Sequence, residues 1–359
     1  MKYVVEYRDG KLIASLLGKL EKLPHRNYTF MEVCGGHTAA IHRFGLPSLL
    51  PEHIKLVSGP GCPVCVTGKI FIDKAISYSR NPECIITTYG DLMRVPGTTS
   101  SLEKEKSKGH DIRIVFSPMD ALEMAVKEFP KKVIFIGIGF ETTTPGTAIA
   151  IKEAAKRELT NFYLLSAHKV MPPAMRAVIE GGTAIDGFIC PGHVSAITGS
   201  KIFNFIPEEY RLPCVVTGFE PVDILQALIM LMQQMEANDP KVEIQYSRAV
   251  TREGNTLAQK LMNEVFCLSD TWWRGLGNIP NSGLTLRDEY ARFDAERVFP
   301  LLTFPEETDD ACLCGEVLKG WKSPADCRLF AKKCHPLNPV GACMVSSEGA
   351  CQILYKFRK

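Results

Sequence analysis

Cysteine carries most of the chemistry this chain can do. It has 13 cysteines, and six of them, Cys312, Cys314, Cys327, Cys334, Cys343 and Cys351, fall in the C-terminal tail. Four thiolates are the usual ligand set for an iron–sulfur cluster or a structural zinc. The tail lacks paired C-x2-C knuckles, which disfavours a zinc ribbon. Taking Cys312, Cys327, Cys334 and Cys351 gives C-x14-C-x6-C-x16-C and leaves Cys314 and Cys343 as an adjacent thiol pair. Spacing alone does not force this set over one that uses Cys314. Six incidental buried thiols are the bland alternative, and so high a density argues against it.

Three further cysteines lie in glycine-rich contexts. Gly59-Pro60-Gly61-Cys62-Pro63-Val64-Cys65 puts a C-x-x-C on a turn. Backbone N–H groups or a following helix N-terminus can activate one thiol there, and the pair can form a small-loop disulfide or bind a metal. A tight turn with two core cysteines is the alternative, and a reversible dithiol is preferred. Cys34-Gly35-Gly36-His37-Thr38 sets a thiol and an imidazole three residues apart. Both can be aimed at one transition metal, such as iron or zinc. His42, one turn further on, suits packing or support as well as ligation. Glu141 in Gly139-Phe140-Glu141-Thr142-Thr143-Thr144-Pro145 and His193 in Pro191-Gly192-His193-Val194-Ser195 stand at strand ends, where they can take protons or orient a ligand. The Thr run also suits plain capping of a helix that starts near Pro145. Gly218-Phe219-Glu220-Pro221-Val222-Asp223 repeats the GFE triplet, but Pro221 and its neighbouring acids already fit helix entry.

The elements that position these motifs alternate. Strands are predicted at Tyr28–Val33, Ile54–Ser58, Cys84–Thr88, Ile112–Phe116, Val133–Ile138, Phe162–Ser166, Gly187–Cys190 and Cys214–Thr217. Helical patterns fall at Ala121–Phe129, Thr147–Leu159, Ala174–Glu180 and Val222–Met235. Such alternation implies an α/β fold with parallel sheets covered by helices. Several strands run directly into the polar motifs above, as ligand sites do in open α/β sheets. That favours two sheets over one, with a break between Phe116 and Lys132. Lys241–Val250 reads as one more strand, and 254–311 is mixed. The expected division is a first α/β domain over 1–125, a second over 126–235 and a cysteine-rich domain over 236–359, with the last boundary near 225–240.

Composition narrows the classes. The 359 residues are 45% apolar and 23% charged, with 42 Lys+Arg against 40 Asp+Glu. That balance suits a globular protein and gives no basic excess for nucleic acid. Val222–Met235 is too short and too polar to span a bilayer, and Met1–Gly10 has no apolar signal core. An odd cysteine count without a leader argues against a secreted disulfide scaffold, so the cytoplasm is the expected compartment. No P-loop, G-x-S-x-G or H-E-x-x-H motif occurs, and Gly137-Ile138-Gly139 lacks the third glycine of a dinucleotide fingerprint.

Taken in order, CGGHT at 34–38, GPGCPVC at 59–65, GFETTTP at 139–145, PGHVS at 191–195 and the tail from CLCGEVLKG to CMVSSEGAC resemble the HypD family of hydrogenase maturation factors. The resemblance runs from about residue 30 to 355. It implies two Rossmann-like α/β domains around a central cleft, and a C-terminal, mixed, mainly helical cysteine-rich iron–sulfur domain. It further implies a scaffold for assembling the Fe(CN)2CO moiety of [NiFe] hydrogenases. The iron would be shared with a small HypC-type chaperone, and cyanide would come from a HypE-type donor. The implied [4Fe-4S] ligands are Cys312, Cys327, Cys334 and Cys351, in a setting similar to ferredoxin:thioredoxin reductase. Cys314 and Cys343 become redox thiols, Cys62 and Cys65 the cleft dithiol, and Cys34 with His37 close by the iron site. Glu141 and His193 would manage protons or position the growing complex. Two other classes compete: a stand-alone iron–sulfur disulfide reductase and a zinc-stabilised interaction protein.

Overall fold

The apolar runs become strands with alternating faces. The computed structural model describes residues 5–299 and 312–358. Its strands are β1 (Tyr28–Glu32), β2 (Ile54–Ser58), β3 (Cys84–Thr88), β4 (Ile112–Ile114), β5 (Lys132–Gly139), β6 (Phe162–His168), β7 (Gly187–Pro191), β8 (Cys214–Thr217), β9 (Val242–Ile244), β10 (Phe266–Trp273) and β11 (Gly277–Leu286). The first nine form two parallel sheets, of order β2-β1-β7-β8-β9 and β4-β3-β5-β6; β10 and β11 make an antiparallel hairpin.

The two-sheet expectation holds, but the expected break does not. β3, from before Phe116, pairs with β5, from after Lys132, with Ile86 opposite Ile134. The chain leaves the first sheet after β2, builds the whole second sheet, and returns to pair β7 with β1. A cut near residue 125 therefore splits one sheet, and the strands expected in separate halves share partners. The strand expected over Lys241–Val250 stops at Ile244. Turn hydrogen bonds from Ala249 and Val250 to the Tyr246 carbonyl end it. That short strand completes the first sheet rather than opening a separate tail. The mixed stretch contains the long hairpin; its last part, 300–311, lies outside the described residues.

Period-two patterning puts each sheet between two apolar layers. In β5, Val133 and Phe135 meet a core with helices Pro118–Lys127 and Thr144–Lys156, while Ile134, Ile136 and Ile138 face a central core. In the first sheet, Phe30, Ile189 and Val215 pack under helix Pro221–Glu236. Met31, Phe188 and Val216 turn to the same central core. That core also encloses Cys62, Cys65, Cys314 and Cys343. Helix starts follow side-chain chemistry. Ser117 and Asp120 form a reciprocal capping box at Pro118, and Glu220 and Asp223 form another at Pro221. No helix among the described residues is long and apolar enough to cross a membrane.

Numbered within each sheet, the strand orders are 2-1-3-4-5 and 2-1-3-4. Each sheet therefore has one switch point, between β1 and β7 and between β3 and β5. Ligand sites in open α/β sheets form beyond the carboxyl ends of strands at such points.

Candidate metal and thiol centre

Both switch points open onto one cavity of about 460 Å³. β1 delivers Cys34 to it and β7 delivers His193; β3 delivers Asp91, and β5 delivers Phe140, Thr142 and Thr143. Ser346 and Glu348 close it from the tail. Cys34 is the cysteine that lines this cavity among the described residues. It is the N-cap of helix Gly35–Arg43, and the Gly36 and His37 N–H groups favour its thiolate. Burial outweighs them: with Glu348 and Glu32 adding negative charge, the thiol is pushed up to about 12. At neutral pH it is therefore held as a protonated thiol.

Glycines let the chain pack this tightly. A Cβ on Gly35 would lie 2.4 Å from Glu348 Cβ, and one on Gly61 would lie 2.2 Å from the Cys34 nitrogen. The Gly35 N–H also donates to the Gly61 carbonyl at 3.1 Å. Thus the Cys34 loop and the Cys62 turn are pressed together. Cys62 and Cys65 are joined in a disulfide, buried at the start of helix Pro63–Val66.

His37 does not share the cavity with Cys34. Its ring is fully buried, and Nε2 lies 3.2 Å from the Thr217 carbonyl and 3.0 Å from that of Gly218. Nε2 therefore carries the proton and donates, while Nδ1 is a buried lone pair without a hydrogen-bond partner. Burial draws its pKa down to about 4. The expected Cys34–His37 metal pair is thus corrected: the helix turns His37 behind the loop, and His193 is the imidazole at the cavity. His42 faces a separate cavity beside β2. Glu141 is corrected likewise. Its carboxyl is buried and turns to the start of helix Met171–Glu180, where Oε1 accepts the Met171 N–H at 3.0 Å. Oε2 has no partner, and burial lifts the group to about 7. The Thr run does not cap with its side chains either: Thr143 and Thr144 donate to the Phe140 carbonyl.

All six tail cysteines line one small apolar cavity, with Leu329 and Phe330 among its walls. The Cys314 and Cys343 sulfurs are 2.7 Å apart and buried toward the central core. Cys312, Cys327 and Cys351 are half-buried around them. Among the described residues no three His, Cys, Asp or Glu side chains close around a single ion. The pocket offers an all-thiol donor set in an apolar wall, the chemistry that an iron–sulfur cluster or a structural zinc would use. The turn Ala342–Met344, which carries Cys343, packs on helix Pro63–Val66.

Residues outside the sequence motifs complete the centre. Glu32 accepts the Cys34 N–H at 3.1 Å and the Thr38 hydroxyl, and burial raises it to about 8. Arg274, at the β10–β11 turn, holds the Thr67 carbonyl, and its backbone N–H donates to Val66. Gly275 meets Gly315 so closely that a Cβ on it would lie 2.4 Å from the Gly315 Cα. The hairpin turn is therefore wedged between the Cys62–Cys65 helix and the helix starting at Cys314. None of these residues has a local signature; only the partners brought by the fold give them a role.

Lys169 anchors the hairpin. Its buried Nζ donates to the Trp272 carbonyl at 2.7 Å and lies over the Trp273 ring. Burial lowers its pKa to about 7. Between about 7 and the unfolded value of ~10.4, the unfolded chain holds a proton that the fold does not. This contribution to stability is complete above ~10.4 and is lost as pH falls through about 7. Denaturation midpoints should therefore rise from about pH 7 to about pH 9.5, and Lys169→Met should flatten the rise. Equal slopes in the two proteins would overturn the assignment.

Two parallel sheets meet at a thiol-bearing cavity, and a cysteine-lined pocket adjoins it from the tail. Comparison with known proteins gives the family. A family model named HypD and described as "Hydrogenase formation hypA family" matches residues 11–358. The chain is 46% identical to the hydrogenase maturation factor HypD of Cupriavidus necator, over 99% of this chain and 97% of that one. It is 48% identical to HypD of Rhizobium leguminosarum bv. viciae, over 98% and 94%. It is 46% identical to HypD of Escherichia coli, over 100% and 99%. The chain belongs to the HypD family of hydrogenase maturation factors.

Proposed function

We propose that this chain is the cytoplasmic scaffold on which iron acquires two cyanides and one carbon monoxide for a [NiFe] hydrogenase. One observation carries the reading: Cys34 is the thiol placed where both switch points converge. A soft thiolate suits low-spin iron with strong-field ligands. A single thiolate leaves coordination positions for a cysteine of a small HypC-type partner and for the incoming diatomic ligands. Cyanide arrives from a HypE-type donor. His193 and Glu348 stand on the cavity wall, where they orient the ligands and exchange protons.

Cys312, Cys327, Cys334 and Cys351 would hold a [4Fe-4S] cluster, supported by the single cavity that they share. When bound, the cluster supplies electrons one at a time. Cys314 and Cys343 pass two electrons and two protons to the Cys62–Cys65 disulfide by thiol–disulfide exchange, and are themselves oxidised to a disulfide until they are reduced again. The packing of the Cys343 turn on helix Pro63–Val66 supports that route. The same buried thiol path supports a second reading, a stand-alone disulfide reductase.

Anaerobic purification, metal analysis and infrared spectroscopy, with and without the small partner, separate the two. The scaffold should carry about four cluster irons, plus one more iron with cyanide and carbonyl bands that Cys34→Ala removes. Cluster iron without those bands, even with every maturation partner present, favours the reductase.

A further inference from the structure

The second GFE run, left over by the reading above, occupies the middle of the site. Phe219 follows β8, and its ring is clamped between two imidazoles. The His37 centroid is 4.4 Å away at 19°, and that of His193 is 3.9 Å away at 20°. Tyr246 meets the ring edge-on at 6.1 Å. One side of the stack is fixed, because His37 is buried and tied through Nε2 to the Thr217 and Gly218 carbonyls. Two glycines bring their motifs against the same ring. A Cβ on Gly36 would lie 3.1 Å from Phe219, and one on Gly192 would lie 3.3 Å away. CGGHT, PGHVS and GFEPVD therefore meet at one aromatic ring.

His193 is the exposed end of this stack and the end that lines the cavity with Cys34. Among the described residues its imidazole has no hydrogen-bond partner, and the Phe219 face, 3.9 Å away and nearly parallel, is the contact that restrains its rotamer. An exposed histidine at a helix start otherwise samples several staggered wells. We propose that Phe219 is a positioning residue: it carries the rigidity of the buried His37 across to His193 and holds that imidazole toward the Cys34 thiol. The inference rests on the reading of the cavity as the iron-assembly site. It explains why the first GFE run is not equivalent. Phe140 stacks instead on Trp273, 5.8 Å away.

The test compares Phe219→Leu, Phe219→Tyr, His193→Gln and the double variant Phe219→Leu/His193→Gln in the full chain. The proteins are purified anaerobically with the small partner. The first readout is the histidine ring resonances of protein labelled at histidine. The His193 ring protons should be shifted upfield by the Phe219 face, keep that shift in Phe219→Tyr and lose it in Phe219→Leu. The second is the amount of iron bearing cyanide and carbonyl bands per protein. It should fall in Phe219→Leu by up to about tenfold, the ratio of states that one stacked pair can maintain. It should fall alike in His193→Gln, no further in the double variant, and recover in Phe219→Tyr. Retained cluster iron shows that each variant is folded.

An unchanged His193 resonance in Phe219→Leu would overturn the proposal. So would a double variant worse than His193→Gln, which would mean that Phe219 acts on the fold and not through His193. So would a His193→Gln variant loaded like the wild type. If the wild type carries no cyanide or carbonyl bands, the assembly reading fails, while the ring resonances still decide what Phe219 positions.

Discussion

Alanine at any one of Cys312, Cys327, Cys334 or Cys351 is expected to strip the cluster iron from the protein, whereas alanine at Cys314 or Cys343 leaves it in place. The two groups share one pocket, and Cys312 and Cys351 also pack against the central core, but the Cys314–Cys343 pair is the most buried. Cys314 and Cys343 are nearly fully buried, lie sulfur to sulfur at 2.7 Å, and belong to the central core beneath the Cys62–Cys65 helix. Two thiolates that close cannot each terminate a different iron of one cluster. The other four line the same pocket beside the pair. Cys334 also accepts the Val340 N–H at 3.4 Å, the kind of backbone donor that tunes a cluster thiolate. Loss of one of four ligands should take iron from about four per chain toward zero, together with the brown colour. Cys314→Ala and Cys343→Ala should keep both and instead block reduction of the Cys62–Cys65 disulfide. Iron analysis and thiol counting on the same preparations check this. If Cys314→Ala lost the cluster while Cys312→Ala kept it, the ligand set would have to be redrawn around Cys314.

That ambiguity marks where sequence reading ends. Residue type and spacing singled out the thiols that the fold gathers at the cavity and in the tail pocket, and the apolar runs located β1 to β8. They could not say that β7 returns to β1. Parallel strands buried on both faces all read alike, and the pairing that places His193 beside Cys34 joins residues more than 150 positions apart. The hairpin was hidden for a different reason. β11 carries Gly277, Pro280, Asn281 and Gly283, residues that favour turns, and it is held by a bulged ladder and by Lys169 rather than by its own propensity. His37 reads as a ligand in the sequence because a histidine three residues after a cysteine suits a metal site. Its real partners are two carbonyls about 180 residues away. Phe219 had no signal beyond a repeated triplet. Its role exists only once the fold has stacked an imidazole on each face.

Gly61→Ala should be among the more damaging single methyl groups in the described residues, and its damage should be local. The added carbon would lie 2.2 Å from the Cys34 nitrogen, 2.2 Å from the Val33 carbonyl carbon and 2.5 Å from the Cys34 Cα. All three are backbone atoms at the end of a central strand, so no rotamer change can relieve the clash. The Cys62 turn must back away from the Cys34 loop, breaking the Gly35 N–H to Gly61 carbonyl bond and separating thiol from disulfide. Overpacking of this kind typically costs about 1–3 kcal/mol and occasionally more, and a clash with fixed backbone belongs at the upper end. Gly18→Ala is the control. It lies inside helix Gly10–Leu20 with nothing within 4 Å of the new methyl, and should stabilise by up to ~1 kcal/mol. Denaturant midpoints should therefore move in opposite directions. Gly61→Ala should also lose the cyanide and carbonyl bands while keeping cluster iron, because the tail pocket lies outside the clash. A Gly61→Ala protein that kept both its midpoint and its bands would show that contact between the two loops does not set the geometry of the site. Loss of cluster iron as well would show that the damage spreads through the core shared by the thiols.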